Sequence, residues 1–194
     1  MKRWMIWLFV AGLAVVAVTA AVTRGMGFTA RAKPWAIEER AARAARRWAT
    51  PVAVRHQASP VAATSEALER GLKHWADGCA TCHGNDGGGD TTIGRSLYPP
   101  APDMRGAATQ GMSDGELFYV IERGVPLTGM PARGTGTADG ERASWELVLF
   151  IRHLPALTGE ELKQMEALNP RSPMEAQHKA EIDDFLAGPK KKVR

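Results

Sequence analysis

Two cysteines and a histidine stand together as Cys79-Ala80-Thr81-Cys82-His83, and they include both cysteines of the 194-residue chain. A zinc site needs four ligands, and the sequence has no second Cys or His pair at a suitable distance. A thiol oxidoreductase would place the pair between a strand and a helix, whereas a helical pattern precedes it here. The remaining chemistry is covalent haem attachment, in which two thiols form thioethers and the adjoining imidazole lies under the iron. The motif therefore predicts one haem c, bound by Cys79, Cys82 and His83.

Three helices are predicted around this motif, each from a polar capping residue followed by apolar residues at helical spacing. The first begins at Thr64 or Ser65 and ends just before the motif. The second begins with a capping box of Ser113 and Glu116, and the third is capped by Asp139. The pattern predicts an all-α domain.

With this motif the chain resembles the class I c-type cytochromes, in particular bacterial membrane-anchored monohaem ones. The resemblance covers about residues 64–157 and rests on the haem motif and on three further segments: Leu97-Tyr98-Pro99-Pro100-Ala101-Pro102-Asp103-Met104, Thr128-Gly129-Met130-Pro131-Ala132 and Trp145-Glu146-Leu147-Val148-Leu149-Phe150-Ile151-Arg152-His153-Leu154. It implies a class I cytochrome c fold, with three main helices around one covalent haem. It also implies a crossing of the first and last helices at Gly71 and Phe150, and one-electron transfer.

The family binds its iron through a histidine and a methionine, so the resemblance also implies a sixth ligand. Met130 lies 47 residues after His83, between Gly129 and Pro131, in a segment too irregular for a helix core. A thioether ligand raises the reduction potential, which suits an electron carrier. We expect Met130 to be the second metal ligand beside His83. The other candidates are more easily explained as packing or surface residues: Met104, Met112, His56, His74, His153 and His178.

Two further expectations come from the resemblance. In the family a proline carbonyl accepts the N–H of the proximal imidazole, and Pro99 or Pro100 would fill that role here, with Pro99 preferred. The family commonly has an aromatic residue after Gly-Met-Pro-Ala, where this chain has Arg133. An arginine there could pair with a haem propionate or lie on a docking face.

The first 30 residues contain nineteen uncharged positions in a row, Trp4 to Val22. This length spans most of a hydrocarbon core of roughly 30 Å, so a transmembrane anchor is predicted, with a cleaved signal peptide as the alternative. The arginines that follow would by themselves hold the next segment in the cytoplasm. Covalent haem is attached on the outer face of an energy-transducing membrane, however, so we expect the haem domain on the periplasmic side of the inner membrane.

Residues 31–63 carry seven positive and two negative side chains and are expected to form a basic amphipathic helix and a linker. The helix is either a solvated spacer or lies on anionic headgroups. Residues 64–157, the expected cytochrome domain, are acidic, so the pI near 9.3 does not indicate nucleic-acid binding. Residues 158–194 are predicted to form a C-terminal helical extension, with capping boxes at Thr158 and Ser172, and a basic tail.

These observations predict a membrane-tethered periplasmic carrier, not an enzyme, that passes single electrons between respiratory complexes or dehydrogenases and an oxidase. Its expected partners are the membrane and redox proteins of the respiratory chain; the sequence does not predict an oligomeric state. Two alternatives stay open. One is a haem enzyme or sensor with an open sixth site, and the other is a fixed cytochrome subunit of an oxidase or dehydrogenase complex.

Overall fold

The computed structural model describes residues 3–27, 29–169 and positions 181, 182 and 185. The chain divides into two compact units, Met1–Ala32 and Lys33–Arg194. Helix α1 (Arg3–Met26) forms most of the described part of the first unit. Its stretch Arg3–Gly25 is long and apolar enough to cross a membrane, a test that a secretion signal near the N-terminus also passes.

The described part of the second unit consists of helices and loops, which confirms the predicted all-α class. Two short 3₁₀ turns, Gly94–Ser96 and Leu154–Ala156, stand between longer elements. The α-helices are α2 (Ala36–Ala49), α3 (Val52–Arg55), α4 (Ser65–Gly78), α5 (Ala80–His83), α6 (Ala107–Gln110), α7 (Asp114–Arg123), α8 (Ala138–His153) and α9 (Gly159–Leu168).

Helices α4 and α8 cross at Gly71. A Cβ atom built on Gly71 would lie 2.3 Å from the carbonyl oxygen of Glu146 and 3.0 Å from Cβ of Phe150, so no larger residue fits without movement. Next to this point the buried rings of Trp75 and Phe150 lie 5.7 Å apart. The small-against-aromatic crossing that the resemblance implied is confirmed.

An ion pair with a buried carboxylate and a half-exposed arginine joins the same two helices. Glu146 on α8 is 2% exposed and accepts a hydrogen bond from Nε of Arg70 on α4 at 2.7 Å. Nε2 of His74 lies 3.8 Å from the other oxygen of this carboxylate. Because the Arg70 side chain is 52% exposed, solvent screens this pair in part, but the buried carboxylate of Glu146 keeps a charged partner across the contact of α4 with α8.

The helix starts largely follow the predicted caps. Thr64 caps α4, and Ser113 with Glu116 forms the capping box of α7. Helix α8, however, is capped by Thr137, whose side chain accepts from the N–H of Gly140, and not by Asp139. Asp139 lies in the first turn instead, where a negative charge is favourable at the helix N-terminus.

The beginning of the C-terminal extension packs on the core formed by α4, α7 and α8. Helix α9 opens with the predicted capping box of Thr158 and Glu161. Glu161 also lies 2.8 Å from Nε2 of His153 at the end of α8, and Met165 is completely buried in the core. The second predicted capping box at Ser172, His178 and the basic tail lie outside the described residues, as does most of the predicted helix 173–187.

Residues before α4 also pack on the domain, although a linker was expected there. Nη2 of Arg46 on α2 lies 3.5 Å from the sulfur of Met112. The hydroxyl of Ser113, at the start of α7, donates to the carbonyl oxygen of Arg55 at 2.7 Å. Because α3 is held against α7 in this way, residue 63 does not mark a structural boundary.

Candidate functional site

The cysteine and histidine residues of the motif lie at the end of α4 and on the single turn α5. The N–H of Cys79 donates to the carbonyl oxygen of Trp75, and the N–H of His83 donates to that of Cys79, each at 2.9 Å. Cys79 and Cys82 are three residues apart, which places them on one face of this turn. Both thiols are free and half-buried. One short segment therefore provides two thiols and an imidazole.

The imidazole of His83 is buried and held against Trp75. The two ring centroids are 5.7 Å apart, and Nε1 of Trp75 donates to the carbonyl oxygen of Gly84 at 3.0 Å, which fixes the chain just after the histidine. Burial lowers the pKa of His83, so the neutral ring that can bind a metal is favoured. Its Nδ1 is buried without a hydrogen-bond partner.

The backbone of Pro102 is the acceptor that acts on this ring. The Pro102 backbone raises the pKa of His83 and so offsets part of the lowering that burial causes. The Nδ1 atom of His83 nevertheless makes no hydrogen bond to a described residue. Pro99 is exposed and follows a cis peptide bond after Tyr98, whose hydroxyl donates to Glu38 on α2 at 2.7 Å. The backbone of Pro102 is thus a further candidate, beside the expected Pro99 or Pro100, for orienting the imidazole.

Glycine makes the approach of Pro102 possible. Gly89 has φ +74°, and a Cβ atom built on it would lie 2.4 Å from the carbonyl oxygen of Ala101. Its N–H donates to the carbonyl oxygen of His83 at 2.7 Å. The loop after the motif thus packs between His83 and the proline segment, and only a residue without a side chain fits at position 89.

An arginine joins the two ends of this loop. Arg105 donates to Asp86 at 2.8 Å and to Asp103 at 2.9 Å. The N–H of Met104 donates to the carbonyl oxygen of Gly87 at 2.8 Å. These bonds hold the segment that contains Pro102 against the loop that follows His83.

Met130 lies in a loop between α7 and α8 that is closed by its own hydrogen bonds. The hydroxyl of Thr128 donates to the carbonyl oxygen of Val125 at 2.8 Å and accepts from the N–H of Met130 at 3.1 Å. The N–H of Val125 donates to the carbonyl oxygen of Met130 at 3.0 Å. The half-buried side chain of Met130 is outside the hydrophobic core. Its thioether has no hydrogen-bond partner within the described part of the chain.

This loop borders the cysteine motif through its neighbours. The guanidinium of Arg133 lies so close to Gly78 that a Cβ atom there would overlap it. On the other side, Gly129 lies against the side chain of Leu97. Cys79, Cys82 and His83 thus lie on one turn, and Arg133, three residues after Met130, contacts the residue just before that turn.

The competing methionines have other contacts. Met104 and Met112 both pack against the hydrophobic core, and their sulfurs lie near Thr109 at 3.9 Å and Arg46 at 3.5 Å respectively. These contacts favour Met130 over both as an axial ligand.

The candidate histidines also lie elsewhere. His74 and His153 lie beside Glu146 and Glu161, and His56 ends α3. His178 is outside the described residues. Of the five histidines, His83 is the one that lies in the cysteine motif.

The free thiols and the buried imidazole fit a covalently attached haem. Burial raises the pKa of Cys79 to about 11, with Arg133 acting in the opposite direction. Cys79 is therefore a neutral thiol at pH 7, unlike the low-pKa thiolate of a redox-catalytic pair. Cys79 and Cys82 would hold the group, with the Nε2 atom of His83 as ligand once Nδ1 is bound by a backbone carbonyl.

Residues 66–151 form a cytochrome c domain. They match the family described as "Cytochrome C oxidase, cbb3-type, subunit III", over a stretch that begins in the first turn of α4 and ends in the last turn of α8. No curated protein matches the chain. The chain thus combines a cytochrome c domain with a long apolar N-terminal helix.

Proposed function

We propose that this protein is a membrane-tethered electron carrier with one covalently attached haem c. The observation that carries the proposal is the turn α5, where two free thiols and a buried imidazole lie beside Trp75. When bound, the haem supplies an iron that changes by one electron between its ferric and ferrous states. In this role the protein's residues bind, orient and shield the group and make no bonds to a substrate.

His83 is proposed as the proximal ligand and Met130 as the distal one. Trp75 and the Pro102 backbone restrict how the imidazole of His83 can turn, which supports a fixed ligand geometry. On the other side, the hydrogen bonds of Thr128 fix the backbone of Met130 and leave its thioether available. A soft sulfur ligand favours ferrous iron and suits a carrier of relatively high potential.

The proposed location is the periplasmic side of the inner membrane, with α1 as a single-pass anchor. The length and apolar composition of α1 support this, as does the usual extracytoplasmic position of cytochrome c domains. Residues 61–157 carry twelve acidic and eight basic side chains. A redox partner with a basic patch would therefore dock more slowly as salt is added.

A second candidate is a fixed subunit of an oxidase complex. The match of residues 66–151 to a family named for an oxidase subunit favours this reading specifically. Mild detergent extraction followed by affinity purification separates the two candidates. A free carrier elutes alone, whereas a fixed subunit brings stoichiometric partner chains with it.

The ligation is tested by optical spectra of the purified full-length protein. The ferric wild type should have a weak long-wavelength sulfur-to-iron band, and the ferrous protein should resist carbon monoxide. Met130→Ala should lose the band and bind carbon monoxide, whereas Met104→Leu, the matched control, should keep both wild-type properties.

A wild type that binds carbon monoxide readily would contradict the carrier and favour a haem enzyme or sensor with an open sixth site. A sulfur band that survives in Met130→Ala would instead move the ligand to Met104 or Met112.

A further inference from the structure

Large apolar side chains on α2 and α3 are exposed to solvent. Trp35, Ile37, Trp48 and Val52 are 58%, 73%, 87% and 60% exposed, and we call these four residues the outer stripe. Ile37 and Trp48 are about three helical turns apart, which places them on the same face of α2. An exposed apolar face of this kind is typical of a surface that is buried against a partner or a membrane.

The opposite face of α2 packs on the cytochrome domain. Arg46 lies against the sulfur of Met112, and Glu38 accepts from the hydroxyl of Tyr98 at 2.7 Å. Thr50, just after the helix, is 4% exposed. These contacts fix the rotation of α2 about its axis, so the outer stripe cannot turn inward to join the core.

The charged residues along one edge of the outer stripe are positive. Arg40 is exposed, and the side chain of Arg47 is 75% exposed although it lies 3.7 Å from Glu116. Both carboxylates of α2 are already bound, one to a tyrosine and one to an arginine. Tryptophan and aliphatic residues beside exposed arginines match the chemistry of an anionic bilayer surface, where the indole lies at headgroup level.

The covalent link to α1 restricts where α2 can go. Helix α1 ends at Met26 and α2 begins at Ala36. The nine residues between them, 27–35, can extend by at most about 30 Å. If α1 spans the bilayer, α2 stays within that distance of the membrane surface, where lipid is always present at high local concentration.

We propose that the outer stripe lies in the headgroup region of an anionic membrane, with Arg40 and Arg47 beside the lipid phosphates. This inference rests on the proposed anchor α1. It means that the cytochrome domain is held on the bilayer surface in one orientation and does not swing on a free tether. A fixed orientation of this kind favours electron transfer to a redox partner in the same membrane.

The test uses the full-length haem protein in vesicles of equal parts phosphatidylcholine and phosphatidylglycerol. A third cysteine, introduced as Ala44→Cys on the face of the outer stripe, is spin-labelled, since the thioether-bound cysteines do not react. The matched control is Gln164→Cys on the exposed side of α9. The label at 44 should collide more often with oxygen, which concentrates in lipid, than with a water-soluble nickel chelate. The label at 164 should collide more often with the nickel chelate.

Two variants of the labelled protein test the chemistry. Trp48→Ser should move the label at 44 toward water in any vesicle. Arg40→Gln with Arg47→Gln should shift the equilibrium of the label between membrane and water toward water by about thirtyfold, and only in vesicles that contain phosphatidylglycerol.

A label at 44 that is fully aqueous in protein that floats with the vesicles would overturn the inference and leave the anchor intact. A label shielded from both reagents would also overturn it, because a protein surface would then cover the stripe. Protein that does not float with the vesicles would contradict the anchor itself, and with it the basis of the inference.

Discussion

The two sides of the proposed iron site are built differently. On the His83 side, an indole and a proline backbone lie near the buried ring, and the N–H of a loop glycine donates to the carbonyl oxygen of the same histidine. On the Met130 side, a short loop is closed by its own hydrogen bonds, and the methionine is half-buried outside the core. His83 is therefore fixed by tertiary packing, and Met130 by the local structure of its loop. Changes on the first side should therefore cost more folding stability.

The largest effect is expected for Gly89→Val. Valine would have to adopt φ +74° and place its Cβ 2.4 Å from the carbonyl oxygen of Ala101. We expect a loss of about 3 kcal/mol or more in the free energy of unfolding, measured by chemical denaturation. Gly136→Val is the matched control, because Gly136 has φ +71° with nothing within 4 Å. It should lose only about 1–2 kcal/mol. Equal losses would contradict the close packing around His83.

A smaller effect is expected for Trp75→Phe, which keeps an aromatic ring and removes the hydrogen bond to Gly84. The free energy of unfolding should fall by about 1–2 kcal/mol more than in Trp145→Phe. Trp145 is equally buried and stacks on Phe118, but its indole N–H makes no hydrogen bond to other described residues. If the two variants lose the same stability, the Trp75 hydrogen bond does not help to hold the histidine segment.

On the methionine side, Leu127→Gly should stabilise the protein slightly. Leu127 is fully exposed and has φ +62°, a conformation that costs a non-glycine residue about 1 kcal/mol. Allowing for the greater freedom of glycine in the unfolded chain, we expect a gain of about 0.5 kcal/mol in thermal denaturation. Leu127→Ala keeps the strained backbone and should show no gain. A loss in Leu127→Gly would mean that the side chain makes a contact worth more than the strain.

The smallest effect is expected from acid on the loop beside Pro102. The Arg105 side chain lowers the pKa of Asp103, so this pair stabilises the fold above the pKa of an unfolded aspartate. The contribution is lost as the pH falls through the lower, folded-state pKa. Since both groups are largely exposed, only a few tenths of a kcal/mol are expected. Arg105→Gln should flatten the dependence of unfolding free energy on pH between about 5 and 3. An unchanged profile would mean that the pair does not hold the loop.

Local signals predicted much of this fold. The capping threonine at 64 and the capping boxes at Ser113 and Thr158 lie where the sequence indicated, because a cap depends on residues three positions apart. The helix crossing at Gly71 followed from the resemblance. The cap of α8 was assigned two residues late, since Thr137 and Asp139 are both good capping residues.

The contacts between distant segments could not be predicted in the same way. Pro102 was not among the prolines considered, because its nearness to His83 depends on how closely Gly89 lets the chain return. Helix α2 was expected to be amphipathic and to lie in solvent or on headgroups, but the packing of its Arg46 on the domain was not expected. A periodic pattern identifies the two faces of a helix without saying which one a neighbour will cover.

The proposed carrier depends above all on a haem bound to Cys79 and Cys82. Intact-mass spectrometry of the purified protein, before and after treatment with a thiol-alkylating reagent under denaturing conditions, tests it directly. The account predicts a mass increased by one haem and no alkylated cysteine. An unmodified polypeptide mass that gains two alkyl groups would contradict it.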